Sequence, residues 1–128
     1  MTRKEIIIAI VFAVLTIHNT LSSAQELAED KPSLALGEKM YMHYCTSCHG
    51  NMGDGKGFNA KNLDPRPAVH ADTEFMSKRT NKDLQDAING GGRLIGKSTL
   101  MPPWGNTLSK VLVESLVLYI RKLCNCEG

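Results

Sequence analysis

Cys45-Thr46-Ser47-Cys48-His49 is the stretch whose residue types and spacing carry the clearest chemistry. Two thiols stand three positions apart, and an imidazole follows the second. This is the C-x-x-C-H pattern of covalent c-type haem attachment. Each sulfur can add across one haem vinyl group to form a thioether. The two-residue spacer lets both sulfurs reach one edge of the macrocycle, and His49 then offers a ring nitrogen to the iron. The same thiols would serve a redox pair or half of a zinc site. A zinc site needs a second ligand pair at suitable spacing, and the other cysteines, Cys124 and Cys126, have no histidine beside them. A thioredoxin-like motif needs a βαβ setting, and the chain has no alternating strand pattern.

Haem iron has a second axial position. Its candidates are Met40, Met42, Met52, Met76, Met101, His43 and His70. Met40, Met42 and His43 precede the attachment site on one helix and do not readily reach the opposite haem face. Met52 follows His49 too closely, and Met76 reads as a core residue, methionine being a common gap-filler. Met101 lies far enough along the chain to cross to the other face. Pro102 and Pro103 follow it, and a residue before proline is held extended, which fixes the thioether in place. Trp104 can close the pocket and has an N–H to donate, for instance to a haem propionate. Met101 is the expected ligand; His70 and a site left open are the alternatives.

The elements that must position these groups read as helices. Ser33 is a fair N-cap, and Leu36, Met40 and Tyr44 then recur every four residues along a helix that runs into Cys45. Gly37 on that helix implies close packing of another backbone or a ring. Gly50 to Gly57 is glycine-rich without a phosphate-binding match, and suggests backbone wrapped closely round a flat cofactor. Asp72 to Lys78 fits one or two helical turns. Thr80 and Asp83 form a capping-box pattern before Leu84, Ala87 and Ile88, and Gly90-Gly91-Gly92 is expected to end that helix. In the last helix, capped by Ser109, Leu112, Leu116, Tyr119, Ile120 and Leu123 make an apolar stripe. The fold class is therefore all-α: three to five short helices with long loops.

Residues 1–24 read as a signal peptide. Arg3 and Lys4 precede an apolar run from Ile6 to Ile17, and Ser22 and Ala24 are spaced as signal peptidase requires. The run is shorter than the roughly 20 residues that span a bilayer; left uncleaved, it would be a membrane anchor, the one route to a membrane. Export agrees with the motif, because attachment to C-x-x-C-H takes place outside the cytoplasm in bacteria, which makes the expected location periplasmic. Loss of Arg3, Lys4 and Glu5 takes the formal charge from +2 to +1, which argues neither for nucleic acid nor for an acidic membrane surface as a partner, and no nucleic acid is expected. Residues 25–32 are a polar lead-in, 33–123 the domain, and 124–128 a tail bearing Cys124 and Cys126. A bridge between residues two apart is expected to be strained, so pairing with another chain, docking and a frayed tail are all open.

From Ser33 to Leu123 the chain resembles the class I monohaem cytochromes c. The likeness rests on Cys45-Thr46-Ser47-Cys48-His49-Gly50 and on Met101-Pro102. It extends to a glycine and an aromatic before the first cysteine, Gly37 and Tyr41, and to Leu116 and Tyr119 on the last helix. Gly53-Asp54-Gly55-Lys56-Gly57 is similar to the bacterial subgroup with G-x-G-x-G after the haem motif. The resemblance implies one haem c wrapped by short helices, with the first and last helices crossing at Gly37. The family pattern also has a proline soon after the glycine run, near the carbonyl that orients the proximal histidine. Phe58 stands there instead, so that carbonyl is unassigned. The expected function is electron transfer between a redox protein donor and acceptor, not enzymatic turnover. Lys56, Lys61 and Lys97 are candidates to border the haem edge. The rival readings are a cytochrome subunit of a dehydrogenase or terminal oxidase complex, and a haem enzyme or sensor with an open axial site.

Overall fold

The computed structural model describes residues 3–5 and 30–128. The chain divides into two units, at Lys31 and Pro32, and the second carries every candidate site residue. The apolar run Ile6–Ile17 and the Ser22 and Ala24 positions lie outside the described residues. Among the described residues no helix is long and apolar enough to cross a membrane, and none forms a strand.

Helix α1 (Leu34–Tyr44) begins as expected, with the Ser33 hydroxyl accepting from the Leu36 N–H at 3.2 Å. A single-turn helix α2 (Thr46–His49) follows after Cys45, then a short 3-10 turn (Ala60–Asn62). Helix α3 (Thr73–Ser77) is capped by Asp72. Helix α4 (Asn81–Leu94) opens on the Thr80–Asp83 capping box, which satisfies two amide donors at once. Helix α5 (Lys110–Cys124) is capped by Ser109. The buried face of α5 is wider than the sequence stripe: Val113, Val117 and Cys124 are buried with Leu116, Tyr119 and Ile120.

The main helix contact is α1 on α5, and Gly37 is where the two backbones meet. A Cβ at Gly37 would collide with the Ser115 carbonyl and lie 3.0 Å from the Tyr119 Cβ. Ser115 is fully buried and polar, yet satisfied. Its Oγ donates to the Val111 carbonyl (2.7 Å) and accepts from the Ser33 N–H (3.1 Å). One small residue on each helix thus allows close approach, and the serine ties the start of α1 to α5.

The tail is built into the fold. Cys124 and Cys126 are joined by a disulfide with Cα atoms 5.2 Å apart, within the ordinary range for such bridges. The two cysteines meet because Asn125 adopts a left-handed conformation (φ 48°, ψ 47°) at the helix end, where asparagine is tolerated, and folds the chain back on itself. Arg121 secures the same corner by donating to the Met76 and Arg79 carbonyls and to Asn81. The bridge closes only a short loop, so Cys126→Ser is expected to lower unfolding free energy by about 1–2 kcal/mol. The visible haem spectrum should be unchanged, because neither cysteine lines the central cavity. Denaturant titration with absorbance of the haem bands reads both quantities.

Candidate haem-binding site

Helix α1 delivers the attachment motif directly. The Cys45 N–H still bonds to the Tyr41 carbonyl (2.9 Å), and the His49 N–H bonds to the Cys45 carbonyl (2.9 Å). Cys45 and Cys48 therefore sit one helical turn apart on one side, half-buried and free as thiols. Burial, and secondarily the neighbouring Cys48, pushes the Cys45 thiol up to about 12. Both thiols are walls of a cavity of about 510 Å³.

The glycine loop does not wrap this cavity, contrary to expectation; none of residues 50–57 lines it. It wraps the outer side of the attachment turn. The N–H groups of Gly55, Gly57 and Asn59 donate to the carbonyls of His49 (2.8 Å), Cys48 (3.2 Å) and Ser47 (2.7 Å). Those carbonyls end α2 and need donors, which the compact glycine backbone brings close.

His49 is buried, and its Nδ1 lies 3.0 Å from the Ala68 carbonyl oxygen. A carbonyl only accepts, so Nδ1 carries the proton and Nε2 keeps its lone pair for a metal. Burial holds the His49 ring below its ordinary pKa, partly offset by the bond to Ala68, which also favours the neutral ligand form. The orienting carbonyl left unassigned by sequence is thus that of Ala68. The proline beside it is Pro67, displaced along the chain by the stretch that holds the 3-10 turn.

Met101 reaches the same cavity from a different part of the chain. Its loop is stitched to the end of α4. The helical backbone breaks at Gly91 (φ 70°, ψ -178°), as the glycine run leads one to expect, and a further turn reaches Leu94. The Gly92 N–H donates to the Met101 carbonyl (3.0 Å), and the Lys97 N–H donates to the Gly92 carbonyl (2.7 Å). The Trp104 N–H donates to the Ile88 carbonyl (3.0 Å), and that of Gly105 to Asn89 (3.1 Å). The glycines are a platform on which the methionine loop rests. Trp104 lines the cavity as expected and packs against Tyr44, with ring centroids 5.0 Å apart.

The other candidate ligands separate cleanly. Met42, Met52 and His43 are exposed, and Met40 packs against the core; none of the four lines the cavity. Met76 touches the cavity but is 1% exposed, a member of the core. His70 is buried and stacked face to face on His49, with centroids 4.1 Å apart and planes 12° apart. Rings in such contact leave no space for a macrocycle between them, so His70 shares the side of His49 and does not oppose it. Burial, and then His49, hold the His70 ring well below its ordinary pKa.

The donor set fits a c-type haem. Two thiols on one turn, an imidazole with its Nε2 lone pair free and a thioether from a separate loop border one largely apolar cavity. Arg66, Arg79 and Lys97 also border it and are cations of the kind that pair with propionate carboxylates. Lys56 and Lys61 do not; the Lys61 ammonium sits 5.9 Å from the centroid of the exposed Phe58 ring.

Comparison with known proteins defines the class. Residues 32–120 match the family model described as cytochrome C oxidase, cbb3-type, subunit III, and the chain belongs to this cytochrome c family. That places it among proteins of c-type haem electron transfer. Solved structures agree on the fold. A chain of the Kuenenia stuttgartiensis reducing HAO-like protein complex Kustc0457/Kustc0458 superposes with a TM-score of 0.55 at 23% identity. The match covers 74% of this chain and 43% of that one. The KustC0563 c-type cytochrome superposes with a TM-score of 0.50 at 22% identity, over 72% of this chain and 98% of that one.

Proposed function

We propose that this protein carries single electrons on one haem c in the periplasm, between a redox protein donor and a redox protein acceptor. Cys45 and Cys48 would hold the haem through two thioethers, and His49 and Met101 would supply its iron ligands. The observation that carries the reading is the meeting of these four side chains on one cavity, from two separately anchored segments. When bound, the haem supplies an iron that alternates between ferric and ferrous. The chain's own residues hold and tune it. Ala68 fixes the His49 tautomer, and the soft Met101 sulfur favours the ferrous state and raises the potential. With both axial positions filled no substrate reaches the metal, which favours a carrier over an enzyme or sensor. Residues 1–24 serve as the export signal, 33–123 as the haem domain and 124–128 as its clipped tail.

A second reading is favoured by the comparisons: a subunit fixed in a larger redox assembly. The matched family is described as an oxidase subunit, and one structural neighbour is a component of a complex. The haem chemistry is the same in both readings. The test is to purify the protein from a host that matures c-type cytochromes. Haem that stays on the chain after denaturation, together with a ferric charge-transfer band from methionine sulfur, is the expected result. Absence of that band in the wild type overturns Met101 ligation. A stoichiometric partner that co-purifies selects the subunit reading, and a monomeric preparation the free carrier.

A further inference from the structure

His70 is a buried imidazole that the proposed iron site does not use, yet it touches a proposed ligand. Its Nδ1 lies 2.9 Å from the Tyr41 hydroxyl. That hydroxyl belongs to a fully buried side chain, and among the described residues it has no other hydrogen-bond partner. A buried O–H requires an acceptor, so Tyr41 donates and His70 Nδ1 accepts. The single ring proton of His70 then sits on Nε2. Burial drives the Tyr41 phenol far above its ordinary range, which keeps the O–H in place as donor.

The two stacked imidazoles are therefore opposite tautomers. His49 has Nδ1–H on Ala68 and a free Nε2; His70 has an occupied Nδ1 and a protonated Nε2. One hydrogen bond to Ala68 sets the His49 tautomer but leaves the ring free to swing about the N–H···O direction. The flat face of His70, at 4.1 Å, removes that freedom. His70 is itself held by Tyr41, and Tyr41 is wedged at the α1–α5 crossing with its ring 5.2 Å from that of Tyr119.

We propose that the Tyr41–His70 pair is a positioning device that fixes the plane of the His49 ring, and hence the orientation of the axial imidazole over the haem. The proposal rests on His49 being an iron ligand. The orientations of an axial imidazole plane and of an axial thioether together govern how unpaired spin is shared among the haem methyl groups of the low-spin ferric state, and the variants below leave Met101 untouched, so proton NMR reads the change in the imidazole.

In Tyr41→Phe the tether is lost while the packing volume is kept, and the haem-methyl shifts are expected to redistribute. His70→Ala removes the plate and should redistribute them likewise. His70→Phe keeps a flat ring that needs no tether and should retain the wild-type order of methyl shifts, also when combined with Tyr41→Phe. A merely structural role predicts no such rescue. Wild-type order in both Tyr41→Phe and His70→Ala overturns the proposal. A wild-type spectrum with no low-spin, strongly shifted methyls overturns instead the assignment of His49 as a ligand, so the two failures are distinguishable.

Discussion

Met101→Ala is expected to lose the sulfur charge-transfer band and to lower the reduction potential by on the order of 0.1–0.2 V, within the roughly 0.8 V that axial ligation spans. The sign follows from ligand softness. Thioether sulfur stabilises ferrous iron; water or a vacant position does so less, and the ferric state gains by comparison. The fold should survive, because the contacts that hold residue 101 are its backbone N–H on Ser98 and its carbonyl on Gly92, both retained by alanine. Among the described residues no other candidate ligand is placed to take over. Met76 is packed in the core, and His70 lies against His49 on the same side. The variant should therefore bind imidazole or cyanide readily where the wild type resists. Potentiometric titration and ligand-binding spectra check both halves. An unchanged potential would exclude Met101 as ligand and return the open-site enzyme or sensor to favour.

Sequence pointed to the groups proposed to act through their own side-chain chemistry. Cys45, Cys48, His49 and Met101 are legible because thiol, imidazole and thioether are scarce and their spacing is constrained. The helix caps at Ser33, Thr80 and Ser109 are legible for a similar reason: a side-chain oxygen at a helix start has few other uses. What sequence did not reveal acts through backbone. The Ala68 carbonyl lies against His49, but every residue has a carbonyl, and nothing in the sequence singles this one out. Gly90 to Gly92 read as a helix stop because glycine usually is one; their role as a platform depends on residues 97–103 returning to the same place. The Gly50–Gly57 run was assigned to the cofactor and instead supplies amide donors to the back of the attachment turn. Ser115 escaped the sequence reading, and His70 entered it only as an alternative iron ligand, for a third reason. Each is a polar residue made inconspicuous by a partner distant in sequence, Ser33 at 82 positions and Tyr41 at 29.

Gly92→Val should reproduce the spectral consequence of Met101→Ala without touching any ligand. A Cβ at residue 92 would collide with the Ser98 carbonyl and lie 3.2 Å from the Met101 Cβ. Valine adds two methyl groups beyond that Cβ, so the loop must move off α4. Three backbone hydrogen bonds hang on this contact: Gly92 to Met101, Lys97 to Gly92 and Met101 to Ser98. Overpacking of this kind costs typically 1–3 kcal/mol, comparable with what a few such bonds contribute at about 1 kcal/mol each. The loop is thus expected to detach while α1, α5 and the attachment turn stay folded, because the atoms nearest that Cβ all belong to Ser98 and Met101. Haem should remain covalently bound through Cys45 and Cys48, the methionine band should vanish, and the potential should fall toward that of Met101→Ala. Gly37→Val is the control: its collision with Ser115 should weaken the helix crossing and lower global stability, leaving the methionine band intact in whatever fraction folds. If Gly92→Val keeps a full-strength band, the glycine platform is not what holds Met101 in place, and the proline pair at 102–103 must suffice alone.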